Sequence, residues 1–134
     1  MNLIPRLIDN SPIPVGTGTL LPFDLTLISW LDIQRVFIIS DYRDSVRGGH
    51  AHKRALQALQ VASGKVKCRL SNILKEEWEF TLTPQSGVLL TPNMFWLELV
   101  FELDSTIIVL TDLPFDEKDY IRSHEEFLTF GKNL

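Results

Sequence analysis

An all-β fold, a barrel or sandwich with one helical segment at its C-terminal end, is what this sequence predicts. Two observations carry it. Eight short runs rich in Val, Ile, Leu, Thr and Phe follow one another, and several alternate polar with apolar residues as half-buried strands do. Between them stand clusters with turn chemistry, and short strands at such close spacing build sandwiches or barrels.

The runs fall at 18–23, 35–40, 55–62, 65–70, 77–82, 87–90, 96–102 and 106–111. Ser63-Gly64 separates the third from the fourth, and Ser71-Asn72 closes the fourth. Pro84-Gln85-Ser86, Pro92-Asn93 and Asp104-Ser105 punctuate the rest. Only the end changes character. From 116 to 130 acidic residues come first, then Tyr120, Ile121, Phe127 and Leu128 at helix-like intervals, with Gly131 as a stop. No internal repeat, low-complexity segment or linker interrupts the chain, so residues 1–134 read as a single domain.

A chain of 134 residues buries roughly two thirds of its unfolded surface, enough to fold without disulfides or metals. The net charge of -4 and pI near 5.3 argue against a nucleic-acid partner, which favours a basic patch. No apolar run approaches the roughly 20 residues needed to span a bilayer, so no membrane role is expected. Leu3-Ile4 and Leu7-Ile8 are interrupted by Pro5 and Arg6, which leaves no signal-peptide core. Cys68 has no second cysteine to pair with and reads as a small buried residue in a protein of the reducing cytoplasm.

Chemistry concentrates in Arg47-Gly48-Gly49-His50-Ala51-His52-Lys53. On an extended strand the side chains at i and i+2 share a face, so His50 and His52 project into one space with Arg47 close behind. Two groups that titrate near neutrality beside a permanent cation suit proton transfer or metal binding. The plain alternative is a hydrogen-bonded histidine pair of structural value only. Lys53 points to the opposite face, and His124 reads as an exposed helix residue. Trp30, Trp78 and Trp96 read as core or dimer-interface residues, with Trp96 the one near a cavity mouth, and the acidic residues from 112 to 126 as a solvated helix and loop.

The spacing continues from His50-Ala51-His52 to Gln57 and Ser63-Gly64, and then from Gly87 to Pro92-Asn93-Met94-Phe95-Trp96-Leu97. These two blocks resemble the paired motifs of the cupin superfamily, a double-stranded β-helix with its site inside a jelly-roll-like barrel. Cupins that bind a metal offer His-x-His, a following Glu and a later His; Gln57 and Leu97 stand at the last two places here. Two imidazoles fall short of the three protein ligands usual at a catalytic zinc, which favours a metal-free cupin. The arginine-glycine-histidine motif, the strand residues 34–39 before it, and the tail Asp116-Glu117-Lys118-Asp119-Tyr120-Ile121-Arg122 with Glu126-Phe127-Leu128 resemble the sugar-nucleotide 3,4-ketoisomerases from about Gly18 to Phe130.

That resemblance implies an isomerase moving the carbonyl of a dTDP-4-keto-6-deoxyhexose from C4 to C3 in deoxyamino-sugar biosynthesis. It also implies a homodimer with no metal or organic cofactor. The family's base corresponds to His52, with His50 as partner or proton carrier. Arg47, Gln57 and Trp96 are the expected substrate contacts, Arg47 through the enediolate or the diphosphate. The family's strand tyrosine is absent, because that strand reads Phe37-Ile38-Ile39, and a further histidine is replaced by Leu97. Tyr42, in the next loop, is the expected substitute acid. The competing expectations are a degenerate, non-catalytic sugar-nucleotide binder and a metal-dependent cupin.

Overall fold

Residues 3–134 are described by a computed structural model. The chain begins with β1 (Arg6–Ile8) and a hairpin, β2 (Ile13–Val15) and β3 (Gly18–Leu20), followed by a 3-10 turn at Leu25–Ile28. Four long strands follow: β4 (Arg35–Asp41), β5 (Val46–His52), β6 (Gln57–Ser63) and β7 (Val66–Ser71). The return path is β8 (Glu77–Leu82), β9 (Val88–Thr91), β10 (Trp96–Phe101) and β11 (Ser105–Thr111). A second 3-10 turn (Glu117–Asp119), β12 (Tyr120–Ile121) and helix α1 (His124–Lys132) complete it.

The long strands nest. β7 pairs with β8, β6 with β9, β5 with β10 and β4 with β11, all antiparallel, as if one long hairpin had been wound into a barrel. The winding produces two five-stranded sheets, ordered β1-β9-β6-β11-β4 and β12-β5-β10-β7-β8. This is the double-stranded β-helix expected from the sequence, and each of the eight anticipated runs holds a strand, the first only over Gly18–Leu20 in the separate β2–β3 hairpin.

Between the sheets lies a core in which Leu59, Val61, Leu89 and Ile107 of one sheet meet Cys68, Leu70, Leu99 and Phe101 of the other. Each such side chain contributes roughly 1.5–3 kcal/mol relative to staying in water. Cys68 is fully buried there, and burial pushes its thiol far above the usual range, so it stays protonated. β6 is buried on both faces because Ala58 belongs to a second cluster with Ile28, Leu31 and Val88 on the outer side of the first sheet. A third cluster seats Phe127 of α1 against Ala51, Trp96 and Ile121.

The C-terminal segment departs from expectation. Instead of one helix over 116–130 there are three pieces, a capped 3-10 turn, a two-residue strand and a capped helix. The Asp116 side chain accepts from the Lys118 N–H at the 3-10 turn, and the Ser123 side chain accepts from the Glu126 N–H at the start of α1. Between those caps Tyr120 and Ile121 pair with His52 and Ala51 and extend the second sheet. Gly131 does not stop the helix but sits inside it, where a Cβ would collide with Ile73.

Candidate active site

In a regular strand Arg47 and His50, three residues apart, would face opposite sides. Gly48 and Gly49 undo that. Their φ values are +87° and +68°, and the register with β10 shifts so that His50 lies opposite Leu97 while Gly48 lies opposite Glu98. Gly49 is thus the extra residue of a β-bulge, which turns Arg47 onto the face that His50 occupies. A Cβ on Gly48 would stand 2.7 Å from the Leu97 carbonyl oxygen, so glycine is required twice over, by conformation and by space.

On that face is a cavity of about 550 Å³ inside the barrel, lined by Arg47, His50, Gln57, Tyr120 and Arg122 together with apolar side chains of β4, β6, β10 and β11. His50 is on the cavity wall. His52 stands behind it, 93% buried, its ring centroid 5.1 Å from that of His50 and the two planes nearly perpendicular. His52 Nδ1 lies 3.0 Å from Asp119 Oδ2. Asp119 is fixed in turn by the backbone N–H groups of Arg54 and Ala55, at 2.8 and 3.3 Å. A carboxylate only accepts, so this contact puts the proton on Nδ1 and leaves the Nε2 lone pair free. Nε2 is buried with no partner among the described residues.

Burial is also the chief reason that both imidazoles favour the neutral form. His50 is brought down to about 4, first by desolvation and then by the neighbouring His52 and Arg122. His52 is lowered by desolvation, which outweighs the opposing pull of Asp119. Both rings are therefore neutral at pH 7.

Tyr120 completes the group. Its ring centroid lies 4.4 Å from His52 and 5.3 Å from His50, and Arg35 donates to its hydroxyl at 3.3 Å. Arg35 is itself held between the rings of Phe37 and Phe115, at 4.6 and 5.3 Å. Arg122 lies 4.3 Å over the Tyr120 ring and makes a two-pronged bond to Glu117 at 2.7 and 2.9 Å.

A family model described as "FdtA: WxcM-like, C-terminal" matches residues 17–132, which takes in every element from β3 to α1, including the tail that seats Tyr120. The chain belongs to this family. It is 36% identical over 100 residues, 71% of this chain and 69% of the relative, to the TDP-4-oxo-6-deoxy-alpha-D-glucose-3,4-oxoisomerase of Aneurinibacillus thermoaerophilus. Among solved structures it is similar to QdtA, a sugar 3,4-ketoisomerase from Thermoanaerobacterium thermosaccharolyticum in complex with TDP. That match has 32% identity and a TM-score of 0.83 over 96% of this chain and 95% of the other. A 3,4-ketoisomerase from Helicobacter canadensis matches at 25% identity and a TM-score of 0.84, over 98% and 99% of the two chains.

Of the residues singled out from sequence, the structure brings Arg47, His50 and Gln57 to the cavity wall and His52 just behind it. It does not bring Tyr42 there. That residue sits in the β4–β5 turn, 76% exposed, with its backbone engaged by Asp41 and Ser45. Nor does Trp96 reach the cavity. Its neighbour Leu97 faces in, so strand alternation sends Trp96 out, where it packs beneath α1 and lines a separate outer hollow with Arg69, Glu98 and His124.

The acidic stretch is not wholly solvated either. Asp119 is only 4% exposed and bonded to His52. Sequence reasoning missed Asp119, Tyr120, Arg122 and Arg35. The available signal was the tail motif itself, which a helix reading had turned away from the barrel. Among the described residues no three His, Cys, Asp or Glu side chains gather into a metal cage, and Gln57 and Leu97 occupy the cavity instead.

Proposed function

We propose that this chain is a sugar-nucleotide 3,4-ketoisomerase that moves the carbonyl of a dTDP-4-keto-6-deoxyhexose from C4 to C3 through an enediol. Membership of the family and the three isomerase relatives support the reaction class. The observation that carries the mechanism is His50, neutral and facing a cavity, backed by the His52–Asp119 pair.

A base acts only on a proton within reach. His50 lines the cavity and His52 does not, so the geometry favours His50 as the group that takes the C3 proton and returns one to C4. His52, oriented by Asp119, supports it from behind. Starting near 4, the His50 imidazole is by itself a weak base. The diphosphate and the enediolate supply negative charge beside it, which raises its affinity for the proton when the reaction requires it. Arg47 and Arg122 offer guanidinium groups to the diphosphate or the enediolate oxygen, and Gln57 a neutral hydrogen-bonding contact.

The same reading takes residues 1–134 as one catalytic domain, supported by the continuous core between the two sheets. It includes a homodimer, supported by β4, an edge strand with Val36 and Ile38 exposed and Trp30 nearby in sequence, half exposed. A mass measurement finding dimer at micromolar concentration agrees with this, and monomer alone refutes it. It also places the enzyme in the cytoplasm, where a lone buried thiol is at home; exclusive recovery from the periplasmic or secreted fraction contradicts that. No helix among the described residues is long and apolar enough to cross a membrane.

The decisive assay supplies TDP-4-keto-6-deoxyglucose in deuterated buffer and follows the sugar by NMR. Deuterium entering at C3 and C4 with appearance of the 3-keto isomer is the expected result. Tight binding of the sugar nucleotide with neither event overturns the reading in favour of a binding module.

A further inference from the structure

Moving a carbonyl from C4 to C3 relocates two protons. One passes from C3 to C4, and the other passes from the C3 oxygen to the C4 oxygen. His50 accounts for the first. Among the described residues that line the cavity, Tyr120 has the one hydroxyl. The arginines do not give up a proton, and Gln57 can donate a hydrogen bond but cannot exchange a proton at neutral pH.

Tyr120 is also held in a way that suits a proton carrier. Its oxygen already accepts from the Arg35 guanidinium at 3.3 Å, so its own O–H is directed to some other acceptor. Arg35 is clamped between two aromatic rings and Arg122 lies against the Tyr120 ring, so two cations face the phenol. They compensate the negative charge that builds on the phenol oxygen as its proton leaves. The backbone of Tyr120 is paired with His52, which fixes its distance from both imidazoles.

We infer that Tyr120 is the catalytic acid and base for the oxygen-bound proton, and that Arg35 is the residue that positions it. The proposal rests on the isomerase reading above. In the first half, His50 takes the proton from C3, the C3–H electron pair forms the C3=C4 double bond, and Tyr120 protonates the C4 oxygen as the carbonyl opens. In the second half, the Tyr120 phenolate takes the proton from the C3 oxygen, C3=O forms, and the imidazolium of His50 protonates C4. Both side chains end as they began, and no oxidant or reductant is needed.

Steady-state kinetics of Tyr120→Phe tests this, with TDP affinity and thermal unfolding as controls. The expected result is a kcat lowered about 10²-fold or more, with KM and TDP affinity within about threefold of wild type. Arg35→Met should lower kcat about tenfold at unchanged KM, and Arg35→Lys should recover most of it. Arg35→Met added to Tyr120→Phe should cost nothing further, whereas a merely structural Arg35 would cost the same in both backgrounds. A Tyr120→Phe enzyme within about threefold of wild-type kcat overturns the proposal. If that variant does not fold, an Arg35→Met enzyme with wild-type kcat overturns it instead. A wild-type protein with neither isomerisation nor exchange fails the isomerase reading itself, which keeps the two outcomes distinct.

Discussion

The lining of the cavity that comes from β5 and the C-terminal tail carries Arg47, His50, Tyr120 and Arg122, whereas β4, β10 and β11 contribute Phe37, Ile39, Leu97, Leu99 and Val109. Gln57 and Leu59, both on β6, stand on either side of that division. The polar portion is assembled by two irregularities, the bulge at Gly48-Gly49 and the three-piece tail, while apolar lining residues such as Phe37 and Ile39, or Leu97 and Leu99, come from alternate positions of one strand. The difference teaches how the site combines chemistry with dryness. Regular alternation supplies walls that exclude water and strengthen every charge inside, and broken alternation aims several functional side chains at one spot. Desolvation by those walls is the first cause of the lowered His50 value.

Breaking the polar portion should have the largest effect. Asp119→Asn removes the charge that selects the His52 tautomer while keeping much of the shape, and kcat should fall about 10- to 100-fold with KM little changed. Equal kcat for variant and wild type, measured under saturation, would detach Asp119 from the chemistry.

The acid side of the pH response should come next. The folded chain holds His50 near 4 and the unfolded chain near 6.5, so the unfolded state takes up the proton first as pH falls. Stability from this source is complete above about pH 6.5 and lost progressively down to about pH 4, on the order of 2–3 kcal/mol. His52 is shifted the same way and adds to the loss. Denaturant unfolding of wild type and His50→Asn across that range should show a shallower dependence in the variant. Parallel curves would contradict the buried, neutral His50.

The apolar portion should respond least. Leu97→Met roughly preserves volume, so kcat should stay within about twofold and stability within about 1.5 kcal/mol. A drop in kcat comparable to that of Asp119→Asn would give Leu97 a role beyond packing.

The two portions were not equally legible in the sequence. The regular strands declared themselves through alternation and turn residues, and Gln57, singled out by its place in the cupin-like motif, lies on the cavity wall. His50 and His52 were paired by their spacing, but which of them meets the cavity depends on a long-range contact, the return of Asp119 and Tyr120 from 67 and 68 residues away to the end of β5. Helix-like spacing in 116–130 concealed that return, because two caps divide the segment into pieces that no periodicity separates. Tyr42 was favoured for its nearness in sequence, and Tyr120, remote in sequence, is the tyrosine that lies beside the histidines.

On the proposed mechanism His50, on the cavity wall, handles the carbon-bound proton while His52 supports it from behind. Deuterium wash-in at C3 and C4 of TDP-4-keto-6-deoxyglucose, compared among wild type, His50→Asn and His52→Asn, tests it most directly. His50→Asn should lose exchange by about 10³-fold or more while still binding TDP, and His52→Asn should slow exchange without abolishing it. Exchange that survives in His50→Asn and vanishes in His52→Asn would contradict it and make the inner histidine the base.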